Sequence, residues 1–182
     1  MSSAHSIPAG SFRVWLGDIA LALSEGADSD VPCGSCSACC RSSQFILVTD
    51  TDRDARSVIP AELLFAAPGL PVGNHVMGYD ANGHCPMFGE SGCSIYEQRP
   101  QACRAYDCRI FTATKIDVGA DGHHEIALRA QQWHFDMDAQ SDIAQAAVLA
   151  AAEHVSANAS ALGLEYSATA RALAAIELAI TP

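Results

Sequence analysis

Phe12, Trp15, Leu16, Ile19, Ala20 and Leu23 recur at steps of three and four, which predicts an amphipathic helix over 12–24. Ser11 can cap its start and Gly26 follows its end. The polar run SEGADSD, 24–30, reads as a linker. FILVT, 45–49, is short, apolar and β-branched, and predicts a strand. Pro60 is expected to open a short helix, AELLFAA, that Pro68-Gly69 stops. HVMGYD and HCPMF flank Asn82-Gly83, a hairpin turn signal. Behind Pro100, QACRAYDCRIF has room for one or two helical turns. Over 125–134, Ile126, Ala130 and Trp133 fall on one helical face, with His134 at its edge.

The last forty residues are alanine-rich. Ile143, Ala147, Val148, Ala151 and Val155 form one candidate stripe. Tyr166, Ala170, Leu173, Ile176 and Ile180 form a second, and together they predict an αα-hairpin. No internal repeat or coiled-coil heptad shows.

Composition narrows the function. Ten basic residues stand against twenty-one acidic ones, a net charge of −11, with Lys115 the single lysine. Such a surface repels nucleic acid and anionic membranes, so neither is an expected partner. MSSAHSIPAG has no basic start or apolar core of a secretory signal, and AQAAVLAAA is too short to span a bilayer. The expected location is cytoplasmic, where thiols stay reduced.

The chemistry sits in the cysteines. CGSCSACCR, 33–41, holds four of them, and Cys85, Cys93, Cys103 and Cys108 follow. Cys33-x2-Cys36-x2-Cys39 resembles the spacing that wraps three corners of a cubane iron–sulfur cluster. Cys-x2-Cys is also half of a tetrahedral zinc site. Both need thiolates, and the small residues Gly34, Ser35, Ser37 and Ala38 let backbone amides turn toward sulfur. Buried free thiols are the plain alternative, but nothing apolar surrounds the cluster. Adjacent side chains diverge, which suggests separate roles for Cys39 and Cys40, with Cys40 a spare thiol.

Across 33–41 and 85–109, four arginines (Arg41, Arg99, Arg104, Arg109) oppose Glu90, Glu97 and Asp107, a local +1 in an otherwise acidic chain. Arg41, Arg104 and Arg109 are therefore candidates to hydrogen-bond an anionic thiolate centre. Pairing with Glu97 and Asp107 on the surface is the competing explanation.

CGSCSACC, GHCPMF, GCSIYEQRPQACRAYDCRIF and IALRAQQWHF together resemble the YkgJ-like cysteine-cluster (CxxCxxCC) family, a zinc- or iron-chelating domain built on eight cysteines. The resemblance runs over about 33–135 and implies that Cys33, Cys36, Cys39, Cys40, Cys85, Cys93, Cys103 and Cys108 are the metal ligands. A flagellin lysine methylase carries a related cluster, but no glycine-rich cofactor loop supports methyl transfer here.

The expected fold is α+β: a small irregular cysteine-rich metal-binding core with a short hairpin, flanked by an N-terminal helix and a C-terminal αα-hairpin. The expected division is 1–32 helix and linker, 33–135 cysteine domain, and 136–182 helical hairpin packed on the core. The expected cofactor is an iron–sulfur cluster of the 4Fe-4S type, with zinc as the alternative. The function implied is redox, sensing or metal handling. A zinc-built partner-binding module and a cluster-dependent modifying enzyme, with Arg104, Asp107 and Arg109 lining its pocket, are the other readings.

Overall fold

The structure is a computed structural model and describes residues 6–29 and 31–181. The first five residues and Asp30 lie outside it, and with them the start of the segment screened for a signal and the last linker residue. The elements run β1 (Ile7–Ser11), α1 (Phe12–Glu25), β2 (Ile46–Val48), α2 (Arg53–Val58), β3 (Leu64–Ala66), β4 (His75–Met77), β5 (Phe88–Gly89) and β6 (Gly92–Cys93). They continue with α3 (Gln101–Arg104), α4 (Arg109–Thr114), α5 (His124–Ala130), β7 (Trp133–Asp136), α6 (Ala139–Ala157) and α7 (Ala168–Ile180). This is the α+β class expected, with helices at both ends. No described helix is long and apolar enough to cross a membrane.

Two compact units emerge: a terminal unit, up to Ala27 and from Asp107 onward, and a central unit, Asp28–Tyr106.

In the terminal unit, β1 and β7 pair in parallel, with a bulge between Pro8 and Gly10. α1 follows directly and ends at a left-handed Gly26; of the expected stripe it buries Phe12, Trp15 and Ile19, with Leu16, Ala20 and Leu23 half-buried and Ala22 buried in addition. The rings of Phe12, Trp15 and Phe135 pack together at 4.9–5.6 Å. Asp107 is buried beside Trp15. Its carboxylate accepts from Trp15 Nε1 at 2.8 Å and pairs with Arg109 Nη2 at 2.8 Å. Asp138 caps α6, accepting from the Ser141 amide, and Ser167 caps α7 in the same way.

The expected faces of α6 and α7 need correction. Ile143 is 73% exposed, and α6 instead buries Ser141, Val148, Ala151, Ala152 and Val155. In α7 the buried set is Ala168, Ala172, Ala175 and Ile176, while Tyr166 lies outside the helix at 91% exposure and Ile180 is at the surface. In an alanine-rich helix several faces are nearly equal in apolarity, so the small residues win where two helices pack closely. Trp133 is likewise buried from a strand and not from a helix, since α5 ends at Ala130.

The central unit is built on the three-stranded antiparallel sheet β2-β4-β3. AELLFAA is not a helix. Pro60 opens one 3-10 turn, Ala61–Leu63, and Leu64–Ala66 joins β4 as an edge strand. Tertiary pairing overrides a short run's helical propensity. Asn82-Gly83 does turn the chain, but β4 pairs with β2 and β3 and not with HCPMF. The short hairpin present is β5-β6. The core beneath joins Val48, Ala55, Ile59, Met77 and Ile95 to Cys85, with Cys40 and Cys93 packed against it.

The 80–84 turn is a buttress. Asp80 Oδ1 accepts from the amides of Asn82 and His84, both at 2.8 Å, and the His84 amide in particular holds its carboxyl below the usual range. Gly83 has φ +79°, its carbonyl accepts from the Ser43 amide at 2.8 Å, and an added Cβ would abut Ser43 Oγ. Gly83→Ala is expected to cost about 1–2 kcal/mol in urea unfolding, the penalty of forcing a side chain into left-handed backbone. An unchanged midpoint would mean the turn relaxes freely.

Candidate metal centre

Seven of the eight cysteines lie in the central unit, and short hydrogen-bonded turns carry Cys33, Cys36, Cys39 and Cys40. Cys33 and Cys36 flank one turn, in which the Cys36 amide donates to the Cys33 carbonyl at 3.0 Å. Gly34 permits it with φ +56°. Cys39 and Cys40 begin a 3-10 turn, Cys39–Arg41, that Ser42 braces by donating to the Ala38 carbonyl. Because this backbone is coiled and not extended, the two neighbouring sulfurs do not diverge. They stand 4.0 Å apart.

The upstream and downstream groups meet. The Cys85 amide donates to the Cys40 carbonyl at 2.8 Å, across 45 residues of sequence. Cys93 sits on β6 opposite Phe88. Cys103 is carried by α3, whose first amide, from Gln101, donates to Asp52 Oδ1 at 2.8 Å. Asp52 is buried, and its other oxygen accepts from the amide and hydroxyl of Thr49. It thereby ties β2 to the helix that presents Cys103. Sequence reasoning passed over this residue. The signal was available in Thr49-Asp50-Thr51-Asp52, a run whose side chains bond their own backbone.

None of the eight cysteines is joined in a disulfide. Several oppose one another's ionisation. Burial, then the neighbouring Cys39, Cys85 and Cys93, push the Cys103 thiol up to about 12, with Arg99 pulling weakly the other way. Burial raises Cys85, with Cys93 and Cys39 adding to it. Cys39 is raised first by its contact with Cys40. That residue is exposed as a whole, so the contact matters more there than desolvation does. Four thiols from four separate segments therefore share one neighbourhood, and the cost of ionising them together is what a bound cation removes. The donor set fits a thiophilic metal. Among the described residues no three side chains already stand in a metal-holding arrangement, so ligation requires rotation of side chains onto the ion.

Cys108 belongs to the terminal unit. α3 ends at Arg104 and α4 begins at Arg109, so Cys103 and Cys108 occupy different helical elements. Cys108 is buried, and its sulfur accepts from Trp133 Nε1 at 3.2 Å.

The three arginines have distinct surroundings. Arg41 is exposed at the end of the 3-10 turn. Arg104 donates to Asp28, to the Arg99 carbonyl at 2.7 Å and to Gln101. Arg109 is buried in the terminal unit, where it pairs with Asp107 and donates to the Ala9 carbonyl. His84 lies beside Cys85 with its ring edge-on to Phe88.

No curated protein and no solved structure matches the chain. Residues 32–121 match a family model whose description reads "putative zinc- or iron-chelating domain". That stretch takes in the whole cysteine series from Cys33 to Cys108, and through it the chain belongs to the CxxCxxCC family.

Proposed function

We propose that the chain is a cytoplasmic metal protein that holds an iron–sulfur cluster of the 4Fe-4S type on thiolates drawn from Cys33, Cys36, Cys39, Cys40, Cys85, Cys93, Cys103 and Cys108, for a redox, sensing or metal-handling role. The observation that supports it best is the shared neighbourhood of Cys39, Cys85, Cys93 and Cys103, four thiols for the four iron corners of a cubane. A cluster held there supplies one-electron chemistry. The protein's part is to fix the sulfurs, exclude water with Val48, Met77 and Ile95, and offer guanidinium groups, of which Arg99 already acts on Cys103.

A second reading is zinc. The 4.0 Å between the Cys39 and Cys40 sulfurs is close to the edge of a tetrahedral tetrathiolate site, about 3.8 Å for zinc–sulfur bonds of about 2.3 Å. Two adjacent thiolates then serve one ion.

Elemental analysis of anaerobically purified protein, with its visible absorption, separates the two. Iron with acid-labile sulfide and a broad visible band supports the cluster; zinc with no band overturns it. Single serine variants then rank the ligands. Replacing Cys39, Cys85, Cys93 or Cys103 is expected to cost most of the bound metal, because an alcohol is a poor substitute for thiolate. Retention of full metal in all four variants would remove this neighbourhood as the site.

A further inference from the structure

The terminal unit contains an open cleft of about 420 Å³ that none of the cysteines lines. That volume falls in the range of small-molecule sites. Its apolar wall comes from Phe111, Trp133 and Phe135, on α4 and β7. Its polar lining is mixed: besides Lys115, Gln131, Gln145 and Asp117 it includes His134 and Thr112, whose hydroxyl donates to the Ala130 carbonyl. Lys115, the single lysine of a chain with net charge −11, is exposed and lines the cleft, as do the carboxamides of Gln131 and Gln145. Asp117, the cleft's one carboxylate, has an oxygen engaged by the Gly119 amide at 2.8 Å.

Lys115 also occupies an unusual backbone position. With φ 58° it closes α4 in the left-handed region, one of two described non-glycine residues with positive φ. Glycine or asparagine fills such a position at lower cost. The only lysine of the chain is thus set at the end of α4, the helix whose Phe111 lines the same cleft.

We propose that this cleft binds a small monocarboxylate with an aromatic or alkyl body: the carboxylate on the Lys115 ammonium and the two carboxamides, the body against Phe111, Trp133 and Phe135. Lys115 is the lining's one permanent cation and the two carboxamides are neutral donors, while Asp117 limits the site to a ligand with a single negative charge. A phosphate dianion would leave a charge uncompensated beside Asp117, and a cation would meet Lys115. Trp133 extends the consequence, because the indole whose ring lines the cleft donates its N–H to the Cys108 sulfur at 3.2 Å. Occupancy is thus in direct contact with the group that orients one of the eight cysteines.

The test uses the full-length metal-loaded protein and three probes of matched shape: 4-phenylbutyrate, 4-phenylbutan-1-ol and 4-phenylbutylamine. Ligand-observed NMR and tryptophan fluorescence follow titrations to about 10 mM, the weak range expected of ligands this small. The carboxylate is expected to bind and to change tryptophan emission, about tenfold more tightly than the alcohol, with the amine weakest. Lys115→Asn, which tolerates the left-handed backbone, should erase that preference and leave alcohol binding as it was. Lys115→Arg should keep it. Equal binding of acid and alcohol by the native protein, no binding of the acid, or an intact preference in Lys115→Asn would each overturn the proposal. The probe series on the native protein decides the matter independently of how any variant folds.

Discussion

Removing the metal with a chelator will disorder the central unit while the helical circular dichroism of the protein largely survives. The reason lies in how little regular structure that unit has. Its longest helix is six residues, Arg53–Val58, and the strands of its main sheet are three residues each. Elements that short do not persist without tertiary support. The small core that supports them counts Cys85 among its buried members and Cys40 and Cys93 among those packed on it, so the proposed ligands are part of the core. Thiolate ligation of a structural zinc ion is worth about 10–16 kcal/mol, more than the whole stability of many domains. By contrast α1, α6 and α7 belong to the terminal unit and bury their own apolar stripes. Hydrogen exchange by mass spectrometry should show amides between residues 33 and 104 losing protection once metal is gone, with 139–157 and 168–180 little changed. Unaltered exchange over 33–104, after elemental analysis confirms complete removal, would reduce the metal to a passenger.

Asp107→Ala should destabilise the terminal unit by about 3–5 kcal/mol in urea unfolding followed by tryptophan fluorescence. The Asp107 side chain is 1% exposed and that of Arg109 is 9% exposed. Arg109 Nε lies 3.0 Å from both carboxylate oxygens, and Trp15 Nε1 donates to one of them. Taking the carboxylate away strands a buried guanidinium without its counter-charge and an indole N–H without its acceptor. The penalty comes from what is left behind, so the double change Asp107→Leu with Arg109→Met should cost less than the single one. A single-variant loss below about 1 kcal/mol would place the pair among exposed surface bridges.

Much of this was visible in the chain itself. α1 follows from six apolar positions and a glycine stop, all within fifteen residues. FILVT became β2, and the CxxCxxCC pattern named the metal-chelating family, because thiols at such spacing have few other uses. That the chain turns at Asn82-Gly83 was legible too, but the hairpin expected there did not form, since β4 pairs with β2 and β3.

What the tertiary structure decided is non-local. Trp133 became a strand because β1, more than a hundred residues earlier, offers it a parallel partner. Leu64–Ala66 became a strand because β4 has a free edge beside it. Ile143 faces outward because in an alanine-rich helix no stripe is distinctive, and packing against α7 selects Val148, Ala151, Ala152 and Val155. The same limit applies to the cysteines. By itself the sequence determined that eight thiols are present, that they are too dense to be incidental, and which chemistry they suit. Which of them share a neighbourhood was decided by turns that bring Cys40 to Cys85 and by Asp52 anchoring the helix of Cys103. Spacing along a chain limits how far apart two sulfurs can be, but only the closed fold determines which ones meet.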